Sequence, residues 1–144
     1  MNVKRLYQNL PRLYDSMRKL LGDRKESCGL TRGQPRILDY LFHHDGCMQK
    51  DFCREYSLEA STVSNLLVAM EKDGLLRRER NPSTSRIVNV YITEEGKRVQ
   101  KNLGPIYDEL EEKAFRGISP EEKTYFLELL EKITNNLKGN DTVL

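Results

Sequence analysis

Apolar residues repeat along this chain at spacings that change twice, and the changes mark its elements. Leu6, Leu10, Leu13, Met17 and Leu20 step by four, three, four and three, the spacing of a heptad seam on a helix. Val3, Tyr7, Tyr14 and Leu21 widen that stripe. Pro11 falls inside it, so the helix is expected either to begin near Leu10 with Asn9 as its cap or to kink at the proline. Gly22 is the expected stop. Thr31 is expected to open a second helix whose buried face is Ile37, Leu38, Leu41 and Phe42, ending at His43-His44-Asp45-Gly46. A short helix from about Gln49 to Tyr56 follows, anchored by Phe52, with Met48 as a poor residue for its cap. After a turn at Ser57 to Glu59 comes a helix over 60–73, with Val63, Leu66, Leu67 and Met70 on one face. At about 100° per residue, Ser61, Ser64, Asn65 and Val68 point the other way.

Past Gly74 the period shortens. Leu75–Arg80 and Arg86–Ile92 read as strands, with Val88, Val90 and Ile92 alternating with polar residues. Asn81-Pro82-Ser83-Thr84-Ser85 between them is turn chemistry. The helical period then returns. Thr93, Glu94 and Glu95 cap a long helix with the stripe Val99, Leu103, Ile106, Tyr107, Leu110 and Ala114, and Pro105 predicts a bend or break in it. Ser119-Pro120-Glu121-Glu122 is a capping box with proline at the first helical position. The last helix carries Phe126, Leu130, Ile133 and Leu137, and residues 139–144 read as a flexible tail.

The predicted fold class is therefore mainly α with a small β-hairpin wing: a winged helix-turn-helix between N- and C-terminal helices. One domain over 1–144 is expected, with a winged lobe at 30–98 and a helical lobe built from 1–22 and 99–138. The two terminal seams have no obvious partner inside such a domain. A homodimer through Leu6, Leu10, Leu13, Met17, Phe126, Leu130, Ile133 and Leu137 is the expectation, against the simpler reading that they pack only on their own core.

Charge changes the picture by where it lies. The chain is 32% charged, yet its net charge is only +2, so the balance alone does not indicate nucleic acid. Arg77, Arg78, Arg80 and Arg86 stand against the single acid Glu79, a local basic patch on a near-neutral protein. Read alone, such a run is also compatible with a solvated strand. No apolar leader opens the chain, and no run approaches the roughly 18 apolar residues of a membrane helix, so a cytoplasmic location is expected. Cys28, Cys47 and Cys53 are an odd set without close CxxC spacing, which argues against a disulfide framework. The histidines His43 and His44 adjoin at one helix end and no Gly-rich phosphate loop is present, so neither an enzyme nor a metal or other cofactor is expected.

These residues resemble the MarR family of bacterial transcriptional regulators. The resemblance lies in Leu30-Thr31-Arg32-Gly33-Gln34, in Gln49-Lys50-Asp51-Phe52-Cys53, and in Ser61-Thr62-Val63-Ser64 at the start of the recognition helix. It continues in Gly74-Leu75-Leu76-Arg77-Arg78 and in Ile92-Thr93-Glu94-Glu95-Gly96 closing the wing, and covers about residues 30–98. The chain departs from the family pattern at Thr84, where the wing usually has Asp, and at Ala60 and Asn65, where a basic residue is frequent.

The resemblance implies a homodimeric repressor that binds a pseudo-palindromic double-stranded DNA operator, with helix 60–73 in the major groove. Base reading falls to Ser61, Thr62, Ser64, Asn65 and Val68. Asn65 is the leading candidate, because an Asn amide pairs bidentately with adenine. Phosphate and wing contacts fall to Lys50, Arg77, Arg78, Arg80, Ser83, Thr84, Ser85 and Arg86. Relatives commonly release DNA on binding a small aromatic or phenolic effector between their two lobes, which nominates Arg12, Tyr14, Arg36 and Tyr107, with Tyr7, for a pocket. Each of these also reads as an ordinary core or interface residue. Cys53 reads as a small core residue, Cys47 as structural, and Cys28 as an exposed thiol. The competing reading of the whole is a winged-helix module that binds protein and not DNA, favoured by the scarcity of charge on the recognition helix.

Overall fold

The computed structural model describes residues 5–27, 29–30 and 33–139. Thr31, Cys28 and the tail beyond 139, for which expectations were stated above, lie outside the described residues. In order, the elements are α1 (Leu6–Ser27), α2 (Gln34–His43), α3 (Gln49–Tyr56), α4 (Ala60–Lys72), β1 (Leu76–Asn81), β2 (Thr84–Ile92), α5 (Glu94–Ala114) and α6 (Pro120–Leu137). The mainly helical fold with one antiparallel hairpin is as expected.

The start of α1 differs from expectation. The helix neither begins near Leu10 nor stops at Gly22; it runs from Leu6 to Ser27 with Pro11 inside it. The Gln8 side chain accepts from the Arg5 amide at 2.8 Å, and the Gln8 amide bonds the Arg5 carbonyl at 2.9 Å, so the helix is capped one turn earlier than Asn9. Pro11 leaves only the Tyr7 carbonyl without an amide donor, and Tyr7 is exposed to water. Pro105 likewise causes no break in the assigned helix α5: it and Lys101, whose carbonyl loses its donor, both face solvent.

Two units divide the chain, Met1–Leu110 and Glu111–Leu144. The core of the first is built where the pattern placed it. Ile37, Leu38 and Leu41 of α2, Phe52 of α3, and Val63, Leu67 and Met70 of α4 are all fully buried. They meet Leu75, Leu76, Val90 and Ile92 of the hairpin and Val99 and Leu103 of α5. Phe42, expected on the buried face, is 44% exposed, because it lies one residue past Leu41 and so about 100° around the helix. Tyr40 fills the angle between α2 and α3, its ring edge-on to Phe52 and Tyr56 and stacked on His44.

Local chemistry fixes the joints. Met48 stands at the N-cap of α3 and is a poor cap, as expected, with no side-chain cap hydrogen bond. Asp51 does the work from three residues on, its carboxylate accepting from the Met48 amide at 2.9 Å. Ser57 ends α3 in the left-handed region at φ 51° and turns the chain into α4. Gly74 ends α4 at φ 77°, with its amide on the Glu71 carbonyl and the Leu75 amide on the Met70 carbonyl, a Schellman ending. Thr93 caps α5: its hydroxyl accepts from the Gly96 amide at 3.0 Å and donates to the Gly74 carbonyl at 2.6 Å.

The second unit holds the end of α5 and α6. Ser119 and Glu122 form the expected capping box, each side chain bonding the other's amide. Phe115 meets the Phe126 ring edge-on and lies under Lys123, which also pairs with Glu111 at 2.6 Å. No described residue of α6 is fully buried within the chain.

Candidate nucleic-acid interface

Helix α4 buries one face and offers the other. With Val63, Leu67 and Met70 at 0% exposure, the 3.6-residue repeat forces Ser61, Thr62, Asn65 and Val68 outward, and all four are exposed. Ser64 is half-buried at the edge of that face. Leu66, expected on the buried face, is half-buried and packs over Gly33. The outer face therefore carries small polar groups and one exposed valine, with Lys72 in the last turn as its cation.

The hairpin beside it is held at its base by the segment before α3. Gly46 donates to the Val90 carbonyl at 2.9 Å, and Val90 to the Cys47 carbonyl at 2.8 Å. Met48 forms a bridge with Asn89, whose amide also donates to the Gly46 carbonyl. Asp45 accepts from the Ile92 amide at 2.8 Å. The helix-turn-helix and the wing are thus one hydrogen-bonded piece.

The tip is shorter than the turn chemistry implied. Arg80 pairs with Val88, but Asn81 pairs with Thr84, so Ser85, Arg86 and Ile87 bulge from β2. Thr84 and Ser85 belong to the strand and not to the loop. The tightening comes from Asn81, whose side-chain oxygen accepts from the Ser83 amide at 2.8 Å and closes the chain over Pro82.

The wing arginines are not equivalent. Arg77 pairs with Glu79 and lies over the Tyr91 ring, 4.4 Å from its centroid. Arg78 is held by Glu71 of α4 through its backbone amide at 2.8 Å and its guanidinium at 3.2 and 3.3 Å. Arg80 donates to the Ser85 carbonyl at 2.9 Å, inside the bulge. Arg86 is exposed and has no ion-pair partner among the described residues. Lys50 is exposed in the first turn of α3, and Ser83 at the tip is exposed as well. Sequence reasoning missed Glu71, Asp45 and Asp51. An acid in the last turn of α4, where a helix disfavours negative charge, was the available sign that Glu71 has a cationic partner.

The residues nominated for an effector pocket are dispersed in kind. Arg12 and Tyr14 are exposed on α1, and Tyr107 packs against the core. Arg36 stacks on Tyr56 with its guanidinium 5.1 Å from the ring centroid, while the Tyr56 hydroxyl donates to the Arg36 carbonyl at 2.9 Å. Burial, and then the Asp39 carboxylate, push the Tyr56 phenol up to about 12. Cys53 packs half-buried against the core. Cys47 does the same, and burial followed by the Asp51 carboxylate raises its thiol to about 11. The His43 and His44 rings each place Nδ1 against a backbone carbonyl four residues back, at 2.9 and 3.0 Å. Among the seam residues, Leu6, Leu13, Phe126 and Leu137 are exposed, and Leu10, Met17, Leu130 and Ile133 half-buried.

The sequence model of the MarR family matches residues 29–87. The transcriptional regulator HosA of Escherichia coli O111:H- is 29% identical over 106 residues, 74% of this chain and 78% of HosA. A MarR family transcriptional regulator from Silicibacter pomeroyi superposes with a TM-score of 0.77 at 30% identity, covering 87% of this chain and 84% of that one. The S. aureus MepR–DNA complex shares the fold, with a TM-score of 0.81 at 24% identity over 93% of this chain and 99% of MepR. Fold order, wing and relatives agree: the chain belongs to the MarR family of winged helix-turn-helix transcriptional regulators, and not to an enzyme family.

Proposed function

We propose that this protein is a homodimeric, cytoplasmic repressor that binds a pseudo-palindromic operator in double-stranded DNA and leaves it when a small aromatic or phenolic molecule binds. The observation that carries the DNA reading is the outer face of α4, where Ser61, Thr62, Asn65 and Val68 stand exposed over a fully buried Val63, Leu67 and Met70, next to a basic hairpin. A helix of that width enters the major groove, and Asn65 is its base-reading group. The fold is also that of MepR, which has been seen bound to DNA.

Phosphate affinity centres on Arg86, Lys50 and Arg80. Ser83, Thr84 and Ser85 shape the tip, while Arg77 and Arg78 serve first as braces because Glu79 and Glu71 hold them. The dimer forms through α1 and α6, since Leu6, Leu13, Phe126 and Leu137 carry apolar surface that water disfavours. The winged lobe spans 30–98 and the dimerising lobe 1–22 and 99–138. Arg12, Tyr14, Arg36 and Tyr107 remain the effector positions to test.

One observation favours a second reading, a winged helix that binds protein: α4 has no cation before Lys72, and Arg77 and Arg78 are already paired. Titration of the protein onto duplex DNA at low and high salt separates the two. Salt-sensitive binding with a preferred sequence is expected. No retention on any duplex, the chain's own promoter region included, would leave the protein-binding reading.

A further inference from the structure

We propose that Glu71 is a positioning residue: it sets the angle of the wing against the recognition helix and so the register in which the two meet DNA. The inference rests on the DNA-binding reading above. The Glu71 carboxylate takes three hydrogen bonds from one residue of β1, the Arg78 amide at 2.8 Å and its guanidinium nitrogens at 3.3 and 3.2 Å. The Arg78 side chain is only 23% exposed, so the pair is partly shielded from water and salt. Glu71 stands where the carbonyl end of α4 repels an anion, and Arg78 supplies the compensating charge.

The pair spans the short connection between α4 and β1 and adds a side-chain link beyond the backbone hydrogen bonds that close it. From Lys72 to Leu76 the chain turns on Gly74, at φ 77° with no atom within 4 Å of where a Cβ would sit. Hydrogen bonds from Asp45, Gly46 and Cys47 hold β2, while Glu71 reaches β1 in mid-strand from the helix. A shallow groove lined by Glu71, Arg78, Arg80 and Val88 opens beside the pair. A strut that joins the recognition helix to the wing transmits any change of angle directly to the bulge carrying Arg86.

Charge alone predicts the opposite sign, which makes the idea testable. Glu71 is an anion on the DNA-facing helix, so removing it should strengthen binding to every duplex by simple electrostatics. Positioning predicts weaker binding to the preferred site only. The probes are a duplex selected from random-sequence DNA by the unmutated protein, and a scrambled duplex of the same composition. Glu71→Gln is expected to bind the selected duplex roughly five- to tenfold more weakly, the scale of coupling between contacting residues, and the scrambled one no less tightly than before. Arg78→Gln and Arg78→Lys should lose the same preference, and the Glu71→Gln/Arg78→Gln double variant should be no worse than either single one. Hydrogen exchange of the amides from 78 to 88, measured without DNA, should quicken in all of them. Tighter binding of Glu71→Gln to both duplexes, or unchanged wing exchange, would overturn the proposal. If the unmutated protein binds no duplex, the DNA reading fails, and the exchange comparison still decides whether Glu71 holds the wing.

Discussion

Gly96 is the position where one added methyl tests the packing of the wing base. An ideal Cβ there would stand 2.1 Å from the Leu75 carbonyl oxygen and 2.8 Å from Ile92 Cγ1. The first neighbour is backbone and cannot swing aside. That carbonyl also accepts from the Thr93 amide, and Thr93 in turn caps Gly96. Forcing a methyl into a packed site costs about 1–3 kcal/mol, and a backbone collision belongs at the upper end. Displacing the Thr93 cap adds about 1 kcal/mol. Alanine's better helix propensity returns about 1 kcal/mol. The expected net loss for Gly96→Ala is therefore about 2–3 kcal/mol, read by urea unfolding at one fixed protein concentration because dimerisation couples to stability. Gly22→Ala is the control. Gly22 also lies inside a helix, but no atom stands within 4 Å of its added Cβ, so it should gain about 1 kcal/mol. Equal signs for the two substitutions, or a Gly96→Ala protein as stable as the original, would refute the reasoning.

Other outcomes follow from the interface and its joints. Asn65→Ala should relax sequence preference by about 1–3 kcal/mol at one base pair per half-site, and an unchanged operator preference in selection from random DNA would remove Asn65 as the reader. Arg86→Ala should weaken binding to all duplexes and lower the slope of log affinity against log salt by about 0.9 per protomer; an unaltered slope takes Arg86 off the phosphate contacts. Ser57→Gly should raise stability by up to about 1 kcal/mol, because serine is held at a left-handed φ that glycine adopts freely; a loss in thermal unfolding would contradict this. The Cys47 thiol has its pKa raised from 9.0 to about 11. Below pH 9 folded and unfolded chains both keep the proton. Between 9 and about 11 the unfolded chain releases it first, so stability should fall as pH rises through that window. Denaturation curves on either side of pH 9 should show the fall, and Cys47→Ala should reduce it.

Periodicity carried most of the fold. The buried set of α4 and its exposed counterface follow from helical spacing alone, and the Ser119 box was readable because both partners lie within four residues. Misreadings came where the stabilising group sits off the expected position. Gln8 starts α1 and Asp51 starts α3 from three residues inside, so looking for Ser, Thr, Asn or Asp at the cap itself finds neither. The wing arginines show the deeper difficulty. Composition reveals a basic patch but not which charges are already spent. Arg77 is paired within its own strand, whereas Arg78 is paired by an acid seven residues earlier on another element. Only the folded arrangement distinguishes those from Arg86.

The register shift after Arg80 separates the wing into two segments with different tolerance for change. Below it, Val90 and Ile92 belong to the core, and an inserted residue would move a buried side chain to the solvent face. Above it, Pro82, Ser83, Ser85 and Arg86 are exposed, and lengthening a surface loop costs little closure entropy. The tip is thus the place where insertions or deletions can alter the reach of this family member along DNA while the helix-turn-helix keeps its packing, and where a hybrid carrying a relative's tip should still fold.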